Sequence, residues 1–280
     1  MTYQEITAKI CSMLEKAEFE NFAVEAENLI IDVLDISRSE FCSRKLMQTQ
    51  LTNEQVNILT EAAEKRVIPY PLQYITQRAY FRDLVLHVEP GVLIPRFETE
   101  ILVDLALKET PRNGRLLDIG TGSGAIAIAC ATERKDIDVL AVDISDIALG
   151  IARKNAEKYH VQNISFRKSD LFSAIDESEK FNVVAANLPY VTFAEYEKLD
   201  RQVKDWEPEL ALTADDDGLQ LINRLCDNLN NLLTPDGFAV LEMSPHQTAK
   251  VKERFEKLNF NAKTVDDYTG RARFVCAKKK

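Results

Sequence analysis

This sequence predicts an α/β protein, a doubly wound and largely parallel sheet preceded by a small all-α module. Three observations carry that expectation. Residues 1–75 repeat apolar side chains at helical spacing, a proline-broken stretch with a hairpin signature covers 76–94, and in 95–280 short apolar runs alternate with helical patterns.

In the first part, Ile6, Ile10, Met13, Leu14 and Ala17 fall on one helical face, then Ala23, Ala26, Ile30, Val33 and Leu34, then Val56, Leu59, Ala63 and Val67. Thr52 or Asn53 in "LTNEQ" supplies an N-cap for the last of these. Three or four amphipathic helices are expected to bury their stripes on each other, as a partner-docking module or as a scaffold. "IPYPLQYI" then interrupts helix formation twice with proline. "AYFRDLVLHVEPGVLI" alternates apolar and polar residues and reads as a β-hairpin linker turning at Pro90-Gly91.

From Pro95 onward the order is strand and helix in turn. "RLLDIG" reads as a strand, "GAIAIACATER" as a helix, "DVLAVDIS" as a strand and "DIALGIARKNAEKYH" as a helix. "ISFRKSD" and "FNVVAANLPY" read as further strands, then "LINRLCDNLNNLL" as a helix, "TPDG" as a turn and "FAVLEM" as a strand. The helix "HQTAKVKERFEKL" and the run "ARFVCAK" complete the order. Buried strands alternating with helices imply parallel pairing.

Composition narrows the function classes. The 280 residues are 45% hydrophobic and 29% charged, enough to bury a catalytic core with a small appendage. A formal net charge of −10 opposes broad binding to a phosphate backbone, whose affinity comes from Lys and Arg displacing counterions, so no direct nucleic-acid substrate is expected. Cys11, Cys42, Cys130, Cys226 and Cys276 are scattered without a C-x-x-C pair, which indicates neither a disulfide framework nor a zinc site and fits a reducing cytoplasm. His87, His160 and His246 lack metal-site spacing, and no metal is expected. The N-terminus has no signal-peptide core, and the longest apolar run, "AIAIACA", is too short to cross a bilayer.

The chemistry concentrates at strand ends. "LLDIGTGSGA" places Gly120, Gly122 and Gly124 where a strand becomes a helix, so the backbone can approach a ligand and free N–H groups face it. Asp143 in "LAVDIS", about 20 residues on, suits the two hydroxyls of a ribose, which points to an adenosine-bearing ligand. Asp118 would oppose a pyrophosphate but suits the cationic amino-acid end of S-adenosylmethionine. Asp170, or the backbone N–H of Leu171, stands where an adenine edge would be read; a helix cap is the alternative role for Asp170. In "NLPY" the Asn187 side-chain oxygen and the Leu188 carbonyl can accept both hydrogens of a conjugated NH2 group and hold its nitrogen in line with a methyl donor. Pro189 fixes the turn, and Tyr190 is expected to stack on the planar group.

With these motifs, "VLIPRFETEILVD", "VDISDIALGIARKNA", "SDLFSAI", "EPELAL", "DDGL" and "GRARFV", the chain from Pro71 onward resembles the PrmC/HemK family of protein-(glutamine-N5) methyltransferases that modify peptide-chain release factors. The N-terminal helices are similar in layout more than in residues. The resemblance implies a class I S-adenosylmethionine-dependent methyltransferase fold, with the cofactor held by Gly120, Thr121, Gly122, Ser123, Gly124, Asp143, Leu171 and Asn187. It implies a glutamine acceptor in the Gly-Gly-Gln loop of class I release factors, held by Asn187 and the Leu188 carbonyl beside Pro189 and Tyr190. Arg96, Phe97 and Glu100 would flank the pocket. Leu188 and Phe97 replace the family's usual prolines, and Ser244 its usual glycine. "NLPY" as spelled also resembles rRNA adenine N6-methyltransferases, which leaves an adenine amino group as the second acceptor class and a non-catalytic cofactor-binding protein as the third reading.

Overall fold

The computed structural model describes residues 1–215 and 217–280. In chain order the elements are helices α1 (Tyr3–Lys16), α2 (Phe22–Leu34), α3 (Arg38–Leu46), α4 (Asn53–Val67) and α5 (Leu72–Thr76), strands β1 (Ala79–Phe81) and β2 (Leu84–Leu86), α6 (Thr99–Glu109) and β3 (Arg115–Ile119). They continue as α7 (Ala125–Glu133), β4 (Asp138–Asp143), α8 (Asp146–Lys158), β5 (Ile164–Lys168), β6 (Phe181–Ala186), α9 (Phe193–Tyr196) and α10 (Arg201–Lys204). The chain ends with α11 (Gln220–Leu232), β7 (Leu233–Glu242), α12 (Thr248–Lys257), β8 (Phe260–Asp266) and β9 (Ala272–Lys279). Two compact units result, Met1–Arg78 with Asp200–Trp206, and Ala79–Leu199 with Glu207–Lys280, so the hairpin packs with the larger unit.

In the smaller unit Ile6, Ile10, Leu14, Ala26, Leu29, Ile30, Phe41, Leu59 and Ala63 form one core, each fully buried. Capping boxes start α1 (Thr2 with Glu5) and α4 (Thr52 with Gln55), each satisfying otherwise unpaired N–H groups at a helix start. In α2 the buried face passes through Leu29, whereas Ala23 is exposed.

The larger unit holds a seven-stranded sheet in the order β5-β4-β3-β6-β7-β9-β8. β3 pairs in parallel with both β4 and β6, β6 with β7 and β4 with β5, while β9 runs antiparallel to β7 and β8. Alternate residues enter separate cores: Leu117 and Ile119 on one face, Leu116 on the other with α7 residues and the hairpin residues Phe81, Leu84 and Leu86. The chain leaves β3 towards β4 and β5, then returns past it to β6 and β7. The carboxyl ends of β3 and β6 therefore form the crevice where an open α/β sheet binds its ligand.

Four local expectations need correction. The hairpin turns at Arg82-Asp83, where Arg82 takes a left-handed φ of 51° and its N–H reaches Glu100 at 2.7 Å; Pro90-Gly91 forms a separate turn downstream. α6 is a helix the sequence does not announce, because no side chain caps its start, although Leu102, Val103 and Ala106 bury at helical spacing. β8 buries only Phe260 and Ala262 between exposed residues and so reads as a loop. The "TPDG" turn is an irregularity within β7, which pairs through Leu233 and resumes at Phe238, with Asp236 at a φ of 61°. Among the described residues no helix is long and apolar enough to cross a membrane.

Candidate active site

The loop after β3 is fastened to the end of β4 by main-chain bonds. The N–H groups of Gly120 and Thr121 both donate to the Val142 carbonyl, at 2.9 and 3.0 Å. The Asp143 carboxylate accepts from the Gly122 N–H at Oδ2 and from the Ser145 N–H at Oδ1, each at 2.9 Å. Burial pushes the Asp143 carboxyl above its usual range, and the backbone donors pull it back down. Each carboxylate oxygen still has a lone pair for a ligand hydroxyl.

Glycine is needed in this loop for two different reasons. A Cβ on Gly124 would lie 2.6 Å from Ile128 Cδ1, so that position serves close packing of α7. A Cβ on Gly122 would meet nothing within 4 Å; it would project into open space beside the ligand crevice.

That space is a cavity of about 270 Å³ walled by Gly120, Gly122, Asp143, Leu171, Asn187 and Pro189, among others. A smaller cavity of about 50 Å³ is walled by Pro95, Arg96, Thr99, Thr121, Ser123 and Ala125. Gly120, Gly122 and Asn187 wall both. Apolar Ile144, Leu171 and Leu221 line the same cavity as Asp143, an arrangement that fits a nucleoside with its base among hydrocarbon and its hydroxyls on a carboxylate. Leu171 holds a φ of 53°, a left-handed conformation that a leucine rarely adopts and that is common at binding sites.

Asn187 follows β6 directly. Its Nδ2 donates to the Thr99 hydroxyl at 3.2 Å, and no donor among the described residues engages its Oδ1. The amide nitrogen is thus spent inside the protein and the oxygen is left as an acceptor on the cavity wall. Thr99 is itself 4% exposed, and Glu242, at the end of β7, is 2% exposed. Burial raises the Glu242 carboxyl to about 7, and its Oε2 has no hydrogen-bond partner.

Other expected residues stand further from the cavities. Asp118 shares its strand face with Leu116, so it is buried under α7 and walls neither cavity; its Oδ2 accepts from the Thr121 hydroxyl at 2.6 Å. Burial, reinforced by the nearby Asp143, raises its carboxyl to about 7. Tyr190 also walls neither cavity, and burial drives its hydroxyl's proton affinity far up. Glu100 is committed to the Arg82 N–H of the hairpin turn. Phe97 is 63% exposed and stacks on Tyr268, with ring centroids 4.8 Å apart. Asp170 does wall the larger cavity, paired with Arg224 at 3.1 Å.

Arg96 walls the smaller cavity and donates to Glu207 Oε1 at 2.5 Å, while Glu207 Oε2 accepts from the Ile94 N–H at 3.0 Å. This buried carboxylate clamps the segment before α6. The residues that deviate from the family pattern are each accommodated: the side chain of Leu188 is buried near Gly120, and Ser244 caps the turn Pro245–Gln247 at a φ of −62° that needs no glycine.

Sequence reasoning missed Thr99, Glu207, Glu242 and the cavity residues Gly91 to Leu93, Ser169, Pro208, Leu210, Ala211, Leu221 and Arg224. One signal was available for Glu242, an acid closing the otherwise apolar run "FAVLEM" at a strand's carboxyl end.

Comparison with known proteins gives this geometry a context. A family described as "PrmC N-terminal domain" matches residues 5–76, and one described as "Methyltransferase domain" matches 111–273. The chain is 37% identical to the release factor glutamine methyltransferase of Koribacter versatilis (strain Ellin345) over 100% of this chain and 99% of that protein. It is 39% identical to the one of Lactococcus lactis subsp. lactis (strain IL1403) over 83% of this chain and 86% of that protein. A solved methyltransferase from Pyrococcus furiosus shares the fold at a TM-score of 0.53 and 21% identity, covering 82% of this chain and 99% of that one.

Proposed function

The chain belongs to the release factor glutamine methyltransferase family, and on that premise we propose that it methylates the side-chain amide nitrogen of the glutamine in the Gly-Gly-Gln loop of a class I peptide-chain release factor. S-adenosylmethionine is the donor, and N5-methylglutamine and S-adenosylhomocysteine are the products. When bound, the donor supplies an electrophilic methyl group on a positively charged sulfur.

The protein's own residues do the positioning. Asp143 receives the ribose hydroxyls, while Gly122 leaves room for the ligand to reach the backbone. Leu171 and Ile144 flank the base. The Asn187 Oδ1 and the Leu188 carbonyl accept the two hydrogens of the acceptor NH2, which fixes its nitrogen on the line to the methyl group. An amide nitrogen is a poor nucleophile because its lone pair is delocalised, so alignment supplies much of the rate.

The observation that carries this reading is the Asn187 amide, bonded through nitrogen to Thr99 with its oxygen left unengaged on a wall common to both cavities. The test is methyl incorporation from labelled donor into a purified release factor, into the same factor with its Gly-Gly-Gln glutamine changed to alanine, and into ribosomal RNA. Label on the first alone supports the reading. Label on RNA replaces it with adenine methylation, and donor binding without transfer to any of the three replaces it with a non-catalytic role.

A further inference from the structure

The turn at 187–190 is held at both ends. At its start the Asn187 amide donates to Thr99. At its end the Tyr190 carbonyl accepts a 2.9 Å bond from Gln247 Nε2, and the other hydrogen of that nitrogen goes to the Asp217 carbonyl at 3.0 Å. Gln247 is 2% exposed, and its Oε1 accepts from the Ser244 N–H at 3.0 Å. One buried amide thus ties together the main chain of three segments.

Capping alone does not need an amide at this position. The turn Pro245–Gln247 is closed by a side-chain oxygen of residue 247 accepting from Ser244, a role that a glutamate fills equally well. Only an NH2 group also donates to two carbonyls; a carboxylate would face both with lone pairs. The packing around this junction is tight: a Cβ on Gly218 would lie 2.1 Å from the Tyr190 oxygen and 2.4 Å from Gln247 Nε2. Val191 continues the hold, its N–H donating to Leu212 at 2.9 Å and its carbonyl accepting from Ala214 at 3.0 Å.

We propose that Gln247 is a positioning residue for methyl transfer, which by fixing the Tyr190 carbonyl sets the direction of the Leu188 carbonyl, the second partner of the acceptor NH2. The proposal deepens the glutamine-methylation reading and rests on it. Pro189 has a fixed φ and disfavours helical backbone at Leu188, whose side chain is buried, so the freedom left to the turn lies at its Tyr190 end. Gln247 removes that freedom from outside, since it walls neither cavity. A turn released at Tyr190 swings the Leu188 carbonyl off the acceptor hydrogen, while Asn187 keeps its bond to Thr99 and Asp143 its place for the ribose.

The test compares wild type, Gln247→Met, Gln247→Glu and Lys250→Ala in the full-length protein with a release factor as acceptor. Methionine approximates the length of glutamine without its donors. Lys250, its side chain 64% exposed and its ammonium 2.6 Å from Asp217, controls for disturbance of α12. Expected for Gln247→Met is a loss of about 10- to 100-fold in kcat with the donor Kd within about threefold, and for Lys250→Ala a kcat within about twofold of wild type. The Gln247→Glu profile carries the signature. Its neutral acid has one hydrogen to give a carbonyl and its carboxylate none, so kcat relative to wild type recovers about 3- to 10-fold between about pH 9 and about pH 6. Wild-type kcat in Gln247→Met, a Gln247→Glu ratio that does not change with pH, a donor Kd that rises as far as kcat falls, or Lys250→Ala as impaired as Gln247→Met overturns the proposal. Amide hydrogen exchange reads the hold without turnover: the Val191 and Ala214 N–H groups exchange faster in Gln247→Met, and those of β3 and β4 are unchanged. Equal exchange at Val191 and Ala214 overturns the hold even if wild type methylates no release factor, an outcome that by itself fails the glutamine-methylation reading.

Discussion

Asn187 and Thr99, 88 residues apart in sequence, are joined by one hydrogen bond of 3.2 Å between the end of β6 and the first residue of α6. That bond decides which atom of the amide meets the cavity. Asn187→Ala should therefore remove an acceptor for the substrate and leave the donor site intact. The expected result is a loss of about 100-fold or more in kcat, with the donor Kd within about threefold, checked by labelled-methyl transfer and calorimetry.

Asp143 links the glycine loop to β4 through two backbone N–H groups. Asp143→Ala unpairs both donors and removes the ribose partner, at about 1–3 kcal/mol for each buried group left unsatisfied. The donor Kd should rise by about 10-fold or more, and the melting temperature should also fall. Titration calorimetry and a thermal melt on the same sample check the two together.

Gly122 and Gly124 separate binding from folding. Gly122→Ala, at a φ of 56° with nothing within 4 Å, should cost about 1–2 kcal/mol of backbone strain and weaken donor binding, because its methyl occupies the ligand's space. Gly124→Ala carries similar strain and adds a 2.6 Å approach to Ile128, so it should lower the melting temperature more. Equal melting temperatures for the two variants would contradict this division.

Asp118 and Glu242 make stability depend on pH. Burial raises both carboxyls to about 7, from ordinary values of 3.8 and 4.5. Between those values and 7 the folded state binds more protons than the unfolded chain, so stability falls as pH rises through this window. Asp118→Asn, isosteric and uncharged, should raise the melting temperature at about pH 8 and lose that advantage below about pH 4, with about 2–4 °C for each kcal/mol. A constant difference across pH would show that ionisation of Asp118 is not the cause.

The sheet was legible because its central strands are apolar on both faces and end in polar residues, as in "RLLDIG" and "FNVVAANLPY". α6 and β8 were not, one lacking a cap and the other lying at the edge with few buried side chains. In the site, Gly120, Gly122, Asp143, Leu171 and Asn187 could be found by their places at strand ends, and they wall one cavity. Asp118 is buried and walls neither cavity, because the alternation of strand faces places it on the side of Leu116. Thr99 was hidden because its hydrogen bond to Asn187 joins elements 88 residues apart, which spacing along the chain does not encode.

Tandem mass spectrometry of a release factor after reaction with the wild-type protein and with Asn187→Ala tests the central claim most directly. The account predicts one methyl group on the glutamine of the Gly-Gly-Gln loop with wild type and almost none with the variant. A methyl group on any other residue, or full methylation of that glutamine by Asn187→Ala, would contradict it.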